Sequence, residues 1–192
     1  MVMMIKALIF DCFGVLVTDG LGRIVSERGL SDEEVDQVVK LVTATNRGEI
    51  TPDVYRASIA KKLNLTVEGY INKIRNNEVK NIALLEYIRK LKAQFKTGLL
   101  SNVSGRQSLE RRFDNNELSK TFDVVVASGD IGFAKPEAQA YEITADQLGV
   151  LLTECIMIDD REDYCQGARG VGMQTILYRS FEQMQNELSG LI

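Results

Sequence analysis

Short apolar segments recur along the chain, and each ends in polar or small residues. The five segments are KALIF at 6–10, TGLL at 97–100, DVVVA at 123–127, CIMI at 155–158 and QTILY at 174–178. Their apolar residues are continuous rather than alternating with polar ones, which is typical of strands buried on both faces of a parallel sheet. Stretches with helical periodicity lie between them. Strands that alternate with helices predict an α/β fold with a doubly wound parallel sheet.

The region from Thr18 to Asn77 departs from this rhythm, because it carries helical periods and no strand pattern. Ser31, with Glu34 three residues later, forms a capping-box signature at the start of a helix. Thr51-Pro52 starts another helix, since proline is tolerated at the first helical position. The apolar stripe of the first of these helices consists of Val35, Val38, Val39 and Val42.

These patterns predict two domains. We expect a Rossmann-like catalytic core made of residues 1–17 and 78–192, and an all-helical cap made of residues 18–77. Ligands of doubly wound sheets bind at the carboxyl ends of the strands. We therefore expect the cap to cover a site at Asp11, the residue that follows the first strand.

Composition narrows the chemistry that this site can perform. The 192 residues contain no histidine, which excludes catalysis by histidine and histidine metal sites within the chain. The three cysteines are few and have no CxxC spacing, so a disulfide framework is not predicted and a cytoplasmic location is expected. The net charge of -4 argues against a nucleic-acid partner. We also expect no membrane partner, and the sequence leaves the oligomeric state open.

Four short motifs follow four of the predicted strands. They are Asp11 with its glycine-containing turn, Leu100-Ser101-Asn102, Ala134-Lys135-Pro136 and Asp159-Asp160. Each is weak alone, because such residues commonly cap helices or lie in exposed turns. Together they would meet at one edge of the sheet. An aspartate nucleophile, a hydroxyl and backbone amides for phosphate, a lysine for charge and an acidic pair for Mg²⁺ are what phosphoryl transfer to a carboxylate requires.

The order DCFGVL, LLSN, AKP and IDDRED resembles that of the haloacid dehalogenase superfamily, including its subgroup with a small helical cap. Bacterial receiver domains use similar residues, but there the acidic pair comes first in the chain. The resemblance implies a hydrolase, most often a magnesium-dependent phosphatase of a small phosphorylated molecule.

The resemblance also assigns roles to individual residues. Asp11 is the expected nucleophile, Ser101 the phosphate-binding hydroxyl and Lys135 the charge-balancing lysine. Asp160 is the expected main magnesium ligand, with Asp159 as a weaker one. Further expected contacts are those of Asp11 and of the Phe13 backbone carbonyl with the metal, and those of Asn102 and Arg47, in the cap, with substrate.

Two positions depart from the pattern of the family. Most of its phosphatases have a second aspartate two residues after the nucleophile, where it serves as general acid and base, but this chain has Phe13. Loss of such assistance typically costs about 10²–10⁴-fold in rate. Tyr164 stands where relatives have an asparagine that organises the metal loop.

Phe13 therefore leaves alternatives open. Haloacid dehalogenases carry an aromatic residue at this position, because halide leaves without a proton, yet they replace the acidic pair that this chain keeps. A 2-haloacid dehalogenase is thus one alternative. The other is a catalytically weak binding protein of the same fold, which the combination of Phe13 and Tyr164 suggests. The sequence does not identify the physiological substrate.

Overall fold

A computed structural model describes residues 4–192. Its centre is a five-stranded, wholly parallel sheet with the strand order β3-β2-β1-β4-β5. This arrangement confirms the predicted doubly wound α/β fold, and every predicted strand is present within one or two residues of its expected ends. The strands are β1 (Ala7–Phe10), β2 (Lys96–Ser101), β3 (Val124–Ala127), β4 (Cys155–Asp159) and β5 (Gln174–Leu177).

Eleven helices accompany the sheet within the described residues. They are α1 (Gly20–Arg28), α2 (Asp32–Asn46), α3 (Pro52–Lys62), α4 (Val67–Asn77), α5 (Ile82–Leu91), α6 (Arg106–Glu110), α7 (Asn115–Thr121), α8 (Ser128–Ile131), α9 (Ala138–Leu148), α10 (Glu162–Gly170) and α11 (Phe181–Leu191). None of the helices within residues 4–192 combines the length and the apolar character that crossing a lipid bilayer requires.

The continuous apolar runs form strands because both faces of the sheet are covered. One cluster of buried side chains contains Leu8 and Phe10 of β1 and lies on the side of α5 and α11. The other contains Ala7 and Ile9 and lies on the side of α9. Successive residues of β1 thus serve opposite faces, as the pleat of a strand requires. All four strand residues are fully buried, so no polar alternation could have appeared in the sequence.

Helices α1 to α4 pack around a cluster of their own, which is separate from the two sheet clusters. Its buried members are Ile24, Val38, Ile59, Ala60, Leu63 and Tyr70. The predicted capping box of Ser31 and Glu34 is present at the start of α2, and Thr51 caps α3. The placement of Val39 in the apolar stripe of α2 is wrong, however, because Val39 is 53% exposed whereas Val38 is buried.

The chain leaves the core after β1 and returns to it through two adjacent segments. The Thr18 hydroxyl accepts a hydrogen bond from Val79 N–H, and Thr18 N–H donates to the Val79 carbonyl at 3.0 Å. Asn81 N–H donates to the carbonyl of Leu16 at 2.8 Å. The crossing points therefore lie side by side next to the first strand. The assignment of residues 18–77 as a separate cap domain stays a prediction. Residues 1–3, which were assigned to the catalytic core, lie outside the described residues.

The sequence predicts a loop from Ser128 to Phe133, and this prediction is wrong. Ser128–Ile131 form the single-turn helix α8, which ends at Gly132 with a φ of 76°. The Ser128 hydroxyl holds the turn in place, because it accepts from Val103 N–H and its one proton can be donated to the carbonyl of Asn46 or of Val103. These partners lie far away in the sequence, so no local pattern could reveal them.

Candidate active site

The sheet order places Asp11 at the centre of one edge. Because β1 lies between β2 and β4, Asp11 lies between the segment that carries Ser101 and the segment that carries Asp159. Its N–H donates to the carbonyl of Ile158 at 2.9 Å, which extends the pairing of β1 with β4 by one step. The backbone of the expected nucleophile is thus held by the sheet, and its side chain is 9% exposed.

Lys135 connects two carboxylates of the site. Its Nζ donates to Oδ1 of Asp11 at 2.6 Å and to Oδ2 of Asp159 at 2.5 Å. The side chains of Lys135 and Asp159 are fully buried. A buried ammonium group requires such partners, because an unpaired charge would be strongly destabilising in the interior. The structure therefore brings together three residues that the sequence placed at three separate strand ends.

Asn102 holds the lysine segment in place. Its side-chain oxygen accepts from Lys135 N–H at 2.9 Å, and its Nδ2 donates to the Lys135 carbonyl at 2.8 Å. The side-chain amide thus forms hydrogen bonds with both the N–H and the carbonyl of Lys135, as the backbone of a neighbouring β-strand would. We expected Asn102 to contact substrate through its backbone, and this stays a prediction. Its side chain has a role that the sequence did not indicate.

The electrostatics of the site follow from burial and crowding. Burial is the largest effect that raises the pKa of Asp11, and Asp159 and Asp160 raise it further while Lys135 lowers it; the result is about 7. Burial and Asp159 likewise raise the pKa of Asp160 to about 6. Burial lowers the pKa of Lys135, but the two carboxylates outweigh that effect and raise it overall, so the lysine stays charged.

The three carboxylates fit a divalent metal ion. Asp11, Asp159 and Asp160 each offer an oxygen atom within 4.8 Å of the others, and one lysine leaves two of their negative charges unbalanced when all are ionised. Oxygen donors of this kind are those that Mg²⁺ prefers. No backbone N–H among residues 4–192 donates to the Phe13 carbonyl, which leaves this oxygen available as the expected further ligand.

Gly14 makes room for the outermost of these carboxylates. A Cβ atom at this position would lie 2.2 Å from Oδ2 of Asp160, and its φ of 89° favours glycine. The glycine thus serves both the tight turn after β1 and the close approach of the Asp160 side chain. The sequence had indicated only the turn.

Ser101 presents a buried hydroxyl that has no hydrogen-bond partner among the described residues. Burial of such a group without a partner costs about 1–3 kcal/mol. Its position at the carboxyl end of β2, the strand next to β1, is on the same sheet edge as Asp11. Thr45 and Asn77, which lie at or near the ends of α2 and α4, share this lack of a partner.

Phe13 packs partly against the core, and its ring faces a cation. Cζ of Arg112 lies 4.8 Å from the ring centroid. Arg112 is in turn bound by Glu78 through two hydrogen bonds of 2.8 and 2.6 Å. Sequence reasoning missed Arg112, because it lies about a hundred residues after Phe13 and no motif surrounds it.

Tyr164 lies against the site rather than only in the core. Two cations lie over its ring: Nζ of Lys135 is 5.0 Å from the centroid and Cζ of Arg161 is 4.3 Å from it. Its hydroxyl accepts from Nδ2 of Asn102 at 3.2 Å. Tyr164 therefore contacts Lys135 through its ring and Asn102 through its hydroxyl.

Two other singled-out residues have clear surroundings. Arg47 forms an ion pair with Glu137 at 3.0 Å, and Glu137 also accepts from Ala134 N–H, so this pair connects the end of α2 to the lysine segment. Contact between Arg47 and substrate stays a prediction. Cys12 is fully buried in the core, and burial followed by the charge of Asp11 raises the pKa of its thiol, which makes it unreactive.

Comparison with known proteins agrees with this geometry. The family model for haloacid dehalogenase-like hydrolases matches residues 5–172, which include every residue of the site described above. The chain belongs to this family. The match confirms the resemblance that the four motifs indicated, and it identifies the protein as a hydrolase by family.

The names of individual relatives denote different activities, among them a phosphatase, a bifunctional epoxide hydrolase of Rattus norvegicus and the pyrophosphatase PpaX of Bacillus cereus. The phosphatase MT3486 of Mycobacterium tuberculosis is 40% identical over 82 residues, which cover 43% of this chain and 38% of the relative. The chain aligns with less than two fifths of the length of each of the first three curated relatives that it matches.

Solved structures show the same fold. An enzyme of the family from Bacteroides thetaiotaomicron, bt-2542, has a TM-score of 0.77 at 20% identity, covering 96% of this chain and 98% of that one. An L-2-haloacid dehalogenase from Xanthobacter autotrophicus has a TM-score of 0.68, also at 20% identity, covering 97% and 83%. At these identities the likeness concerns the fold alone.

Proposed function

We propose that this protein is a magnesium-dependent phosphatase of a small phosphorylated metabolite, and that Asp11 becomes phosphorylated during each turnover. The observation that carries the proposal is the convergence of Asp11, Lys135, Asp159 and Asp160 at one sheet edge. The unpartnered hydroxyl of Ser101 supports it, because a phosphate oxygen would satisfy this donor.

The reaction would proceed in two displacements. A carboxylate oxygen of Asp11 attacks phosphorus, and the bond from phosphorus to the leaving oxygen breaks with its electron pair on that oxygen. Water then attacks the phosphorus of the acyl phosphate, which releases inorganic phosphate and restores the carboxylate. Lys135 and Ser101 bind the phosphoryl oxygens, and the ammonium group balances the charge that spreads over them.

The three carboxylates and the Phe13 carbonyl would hold the metal. When bound, Mg²⁺ supplies positive charge against the phosphate and the crowded carboxylates. The charge is needed in this chain, because Asp11 and Asp160 have raised pKa values without it and a protonated Asp11 is a poor nucleophile. The bt-2542 enzyme, of the same fold, has been crystallised with magnesium and inorganic phosphate.

Phe13 restricts the substrates. It provides no proton for the leaving oxygen, so esters of acidic alcohols, phenols or acids should react faster than esters of ordinary alcohols. The relatives named phosphatase and pyrophosphatase support hydrolysis of a phosphate bond, and the second name denotes a leaving group that is itself a phosphate.

The decisive experiment is release of inorganic phosphate from aryl, acyl, sugar and nucleotide phosphates, first with Mg²⁺ and then with excess EDTA. We expect magnesium-dependent release that favours good leaving groups, and a hydroxylamine-sensitive phosphoryl label on the protein. Asp11→Asn serves as the matched control. Release that persists in EDTA or in Asp11→Asn would contradict the proposal, and absence of release from every member would favour a binding role.

Dehalogenation is the second candidate, and Phe13 is the observation in its favour. Halide departs without a proton, so an aromatic residue would cost nothing there. The carboxylate cluster argues against it, because attack of Asp11 on carbon needs neither Asp159 nor Asp160. Halide release from 2-chloropropionate that is insensitive to EDTA would favour this candidate over the phosphatase.

A further inference from the structure

Helix α10 begins two residues after the acidic pair and packs closely against the segment that carries Lys135. A Cβ atom at Gly167 would lie 2.7 Å from Cβ of Pro136 and 2.9 Å from the hydroxyl of Tyr141, so a larger residue would force these elements apart. The Tyr141 hydroxyl also donates to the backbone carbonyl of Tyr164 at 2.7 Å. The backbone of α10 is therefore held next to the lysine segment.

Tyr164 extends this contact through its side chain. Its ring centroid lies 5.0 Å from Nζ of Lys135, within the range of a cation–π interaction. Within residues 4–192, its hydroxyl has one hydrogen-bond partner, Nδ2 of Asn102, which donates at 3.2 Å. The same Nδ2 donates to the Lys135 carbonyl at 2.8 Å. The hydroxyl therefore acts on Asn102, and Asn102 acts on the backbone of Lys135.

The contact with Tyr164 completes the hydrogen bonding of the Asn102 side chain. A side-chain amide has two hydrogens on nitrogen and an accepting oxygen. The oxygen of Asn102 accepts from Lys135 N–H at 2.9 Å, one hydrogen bonds the Lys135 carbonyl and the other bonds the Tyr164 hydroxyl. One orientation of the amide satisfies all three partners, so the hydroxyl favours the orientation that holds Lys135.

This use of position 164 differs from that of the asparagine in relatives, which organises the metal loop. The ring of Tyr164 does contact Arg161, next to the acidic pair. Its hydroxyl, however, bonds none of the three carboxylates of the candidate metal site, since its partner in the described chain is Asn102. The hydroxyl therefore serves the lysine side of the site.

We propose that Tyr164 is a positioning residue for Lys135: its hydroxyl orients Asn102, which holds the lysine backbone while Nζ contacts Asp11 and the phosphoryl group. The inference rests on the proposed phosphatase function and adds a residue to its machinery. Small displacements of a reacting or charge-stabilising group reduce the rate strongly. The hydroxyl should thus matter for turnover and not for metal binding, whereas the ring matters more for stability.

Tyr164→Phe tests the proposal, because it removes the hydroxyl and keeps the ring. With 4-nitrophenyl phosphate and saturating Mg²⁺, we expect kcat to fall about tenfold or more. The Kd for Mg²⁺, measured by calorimetry without substrate, should stay at its wild-type value. An unchanged kcat would overturn the inference. So would a weaker affinity for Mg²⁺ combined with a kcat that excess Mg²⁺ restores, because the hydroxyl would then serve the metal site.

The matched control is Tyr178→Phe. Tyr178 is also buried, and its hydroxyl also accepts from an asparagine amide, Nδ2 of Asn81, at 2.9 Å. This pair makes no contact with Lys135, so kcat should stay at its wild-type value. Equal losses of kcat in Tyr164→Phe and Tyr178→Phe would overturn the inference, because any lost tyrosine hydroxyl would then have the same effect.

A double-mutant cycle tests the route through Asn102. Asn102→Ala keeps the backbone N–H and removes the side-chain amide, so it should lower kcat by itself. Adding Tyr164→Phe to Asn102→Ala should lower kcat no further, because the hydroxyl has already lost the group through which it acts. Losses that multiply in the double variant would show that Tyr164 acts by another route and would overturn the inference.

A binding measurement separates this inference from the proposed function. If wild type hydrolyses no ester, calorimetry with inorganic phosphate in the presence of Mg²⁺ reports on the lysine without turnover. A phosphate Kd about tenfold higher in Tyr164→Phe than in wild type would support the positioning role although the phosphatase proposal had failed. Equal affinity in the two proteins, or absence of phosphate binding to wild type, would overturn the inference as well.

Discussion

Lys135 donates a hydrogen bond of 2.6 Å to Asp11 across a separation of 124 residues, within a region that excludes water from the lysine completely. The same ammonium group bonds Asp159. One lysine thus holds together the carboxyl ends of β1 and β4, and it keeps the nucleophile in a fixed orientation before substrate or metal arrives.

Lys135→Met should destabilise the protein. The change leaves Asp11 and Asp159 buried without their cation, and loss of one partner of a buried pair costs about 3 kcal/mol or more. Urea unfolding in EDTA at neutral pH would measure it. The matched control is Lys135→Met/Asp159→Asn, which removes one of the two stranded charges and should recover part of the loss. Equal stability of wild type and Lys135→Met would show that the lysine is not a buried counter-ion.

Phe13→Asp should increase hydrolysis of esters with poor leaving groups. The new carboxyl group could donate a proton to the leaving oxygen, and we expect a gain on the order of tenfold to a hundredfold for alkyl phosphates. Aryl esters with good leaving groups should change little. Phe13→Asn introduces a side chain of the same shape as aspartate but without an acidic proton, so it should show no gain. If both variants respond equally, a lost proton donor does not explain the effect of Phe13.

Gly14→Ala should weaken metal binding. The added Cβ would collide with Asp160 and would also require an unfavourable φ, so the carboxylate must move. We expect the Mg²⁺ concentration for half-maximal activity to rise about tenfold or more, as for other changes that shift a ligand. Gly190→Ala, at an open helical position, is the control. An unchanged magnesium requirement in Gly14→Ala would remove Asp160 from the metal site.

Tyr164 should contribute through its ring more than through its hydroxyl. Tyr164→Leu removes the aromatic ring that Lys135 and Arg161 contact, and we expect it to cost about 1–2 kcal/mol of unfolding free energy. Tyr164→Phe keeps that face and removes only the acceptor for Asn102, so it should cost less. Chemical denaturation of the two variants compares the contribution of the ring with that of the hydroxyl. A larger loss for Tyr164→Phe would assign the role to the hydroxyl.

Asp123 should make the free energy of unfolding depend on pH at values below 3.8, the ordinary pKa of an aspartate. Burial raises its pKa, but the Thr97 N–H and Lys92 outweigh burial and lower the pKa overall. A lowered folded-state pKa means that the stabilisation is present above the unfolded value near 3.8 and is lost as the pH falls through the folded value. Asp123→Asn should therefore cost about 1 kcal/mol of unfolding free energy at pH 7 and nearly nothing at a pH below the folded-state pKa of Asp123.

The test of the Asp123 prediction is denaturant unfolding of wild type and variant across this range. Asp53→Asn is a suitable control, because Asp53 is almost fully exposed and has a single partner. A difference between wild type and Asp123→Asn that persists unchanged at the lowest pH would contradict an electrostatic origin.

Local chemistry let the sequence predict much of the fold. Continuous apolar runs identified the five strands, since burial on both faces leaves no room for polar residues. Ser31 and Thr51 marked helix starts because capping depends on residues only three positions apart. Asp11, Lys135 and the acidic pair were found for a related reason: parallel strands all end at one edge, so residues after them meet whatever the strand order.

Contacts between distant segments were decided only by the tertiary structure. The strand order places Asp11 between Ser101 and Asp159, and nothing within a single strand encodes its neighbours. The cation over Phe13 and the exposure of Val39 likewise depend on how whole elements pack. Sequence periodicity reports which residues of a segment are buried together, whereas the identity of the opposite surface follows from long-range packing of the entire chain. The chemistry at each strand end was therefore readable from the sequence, and the partners that complete it were not.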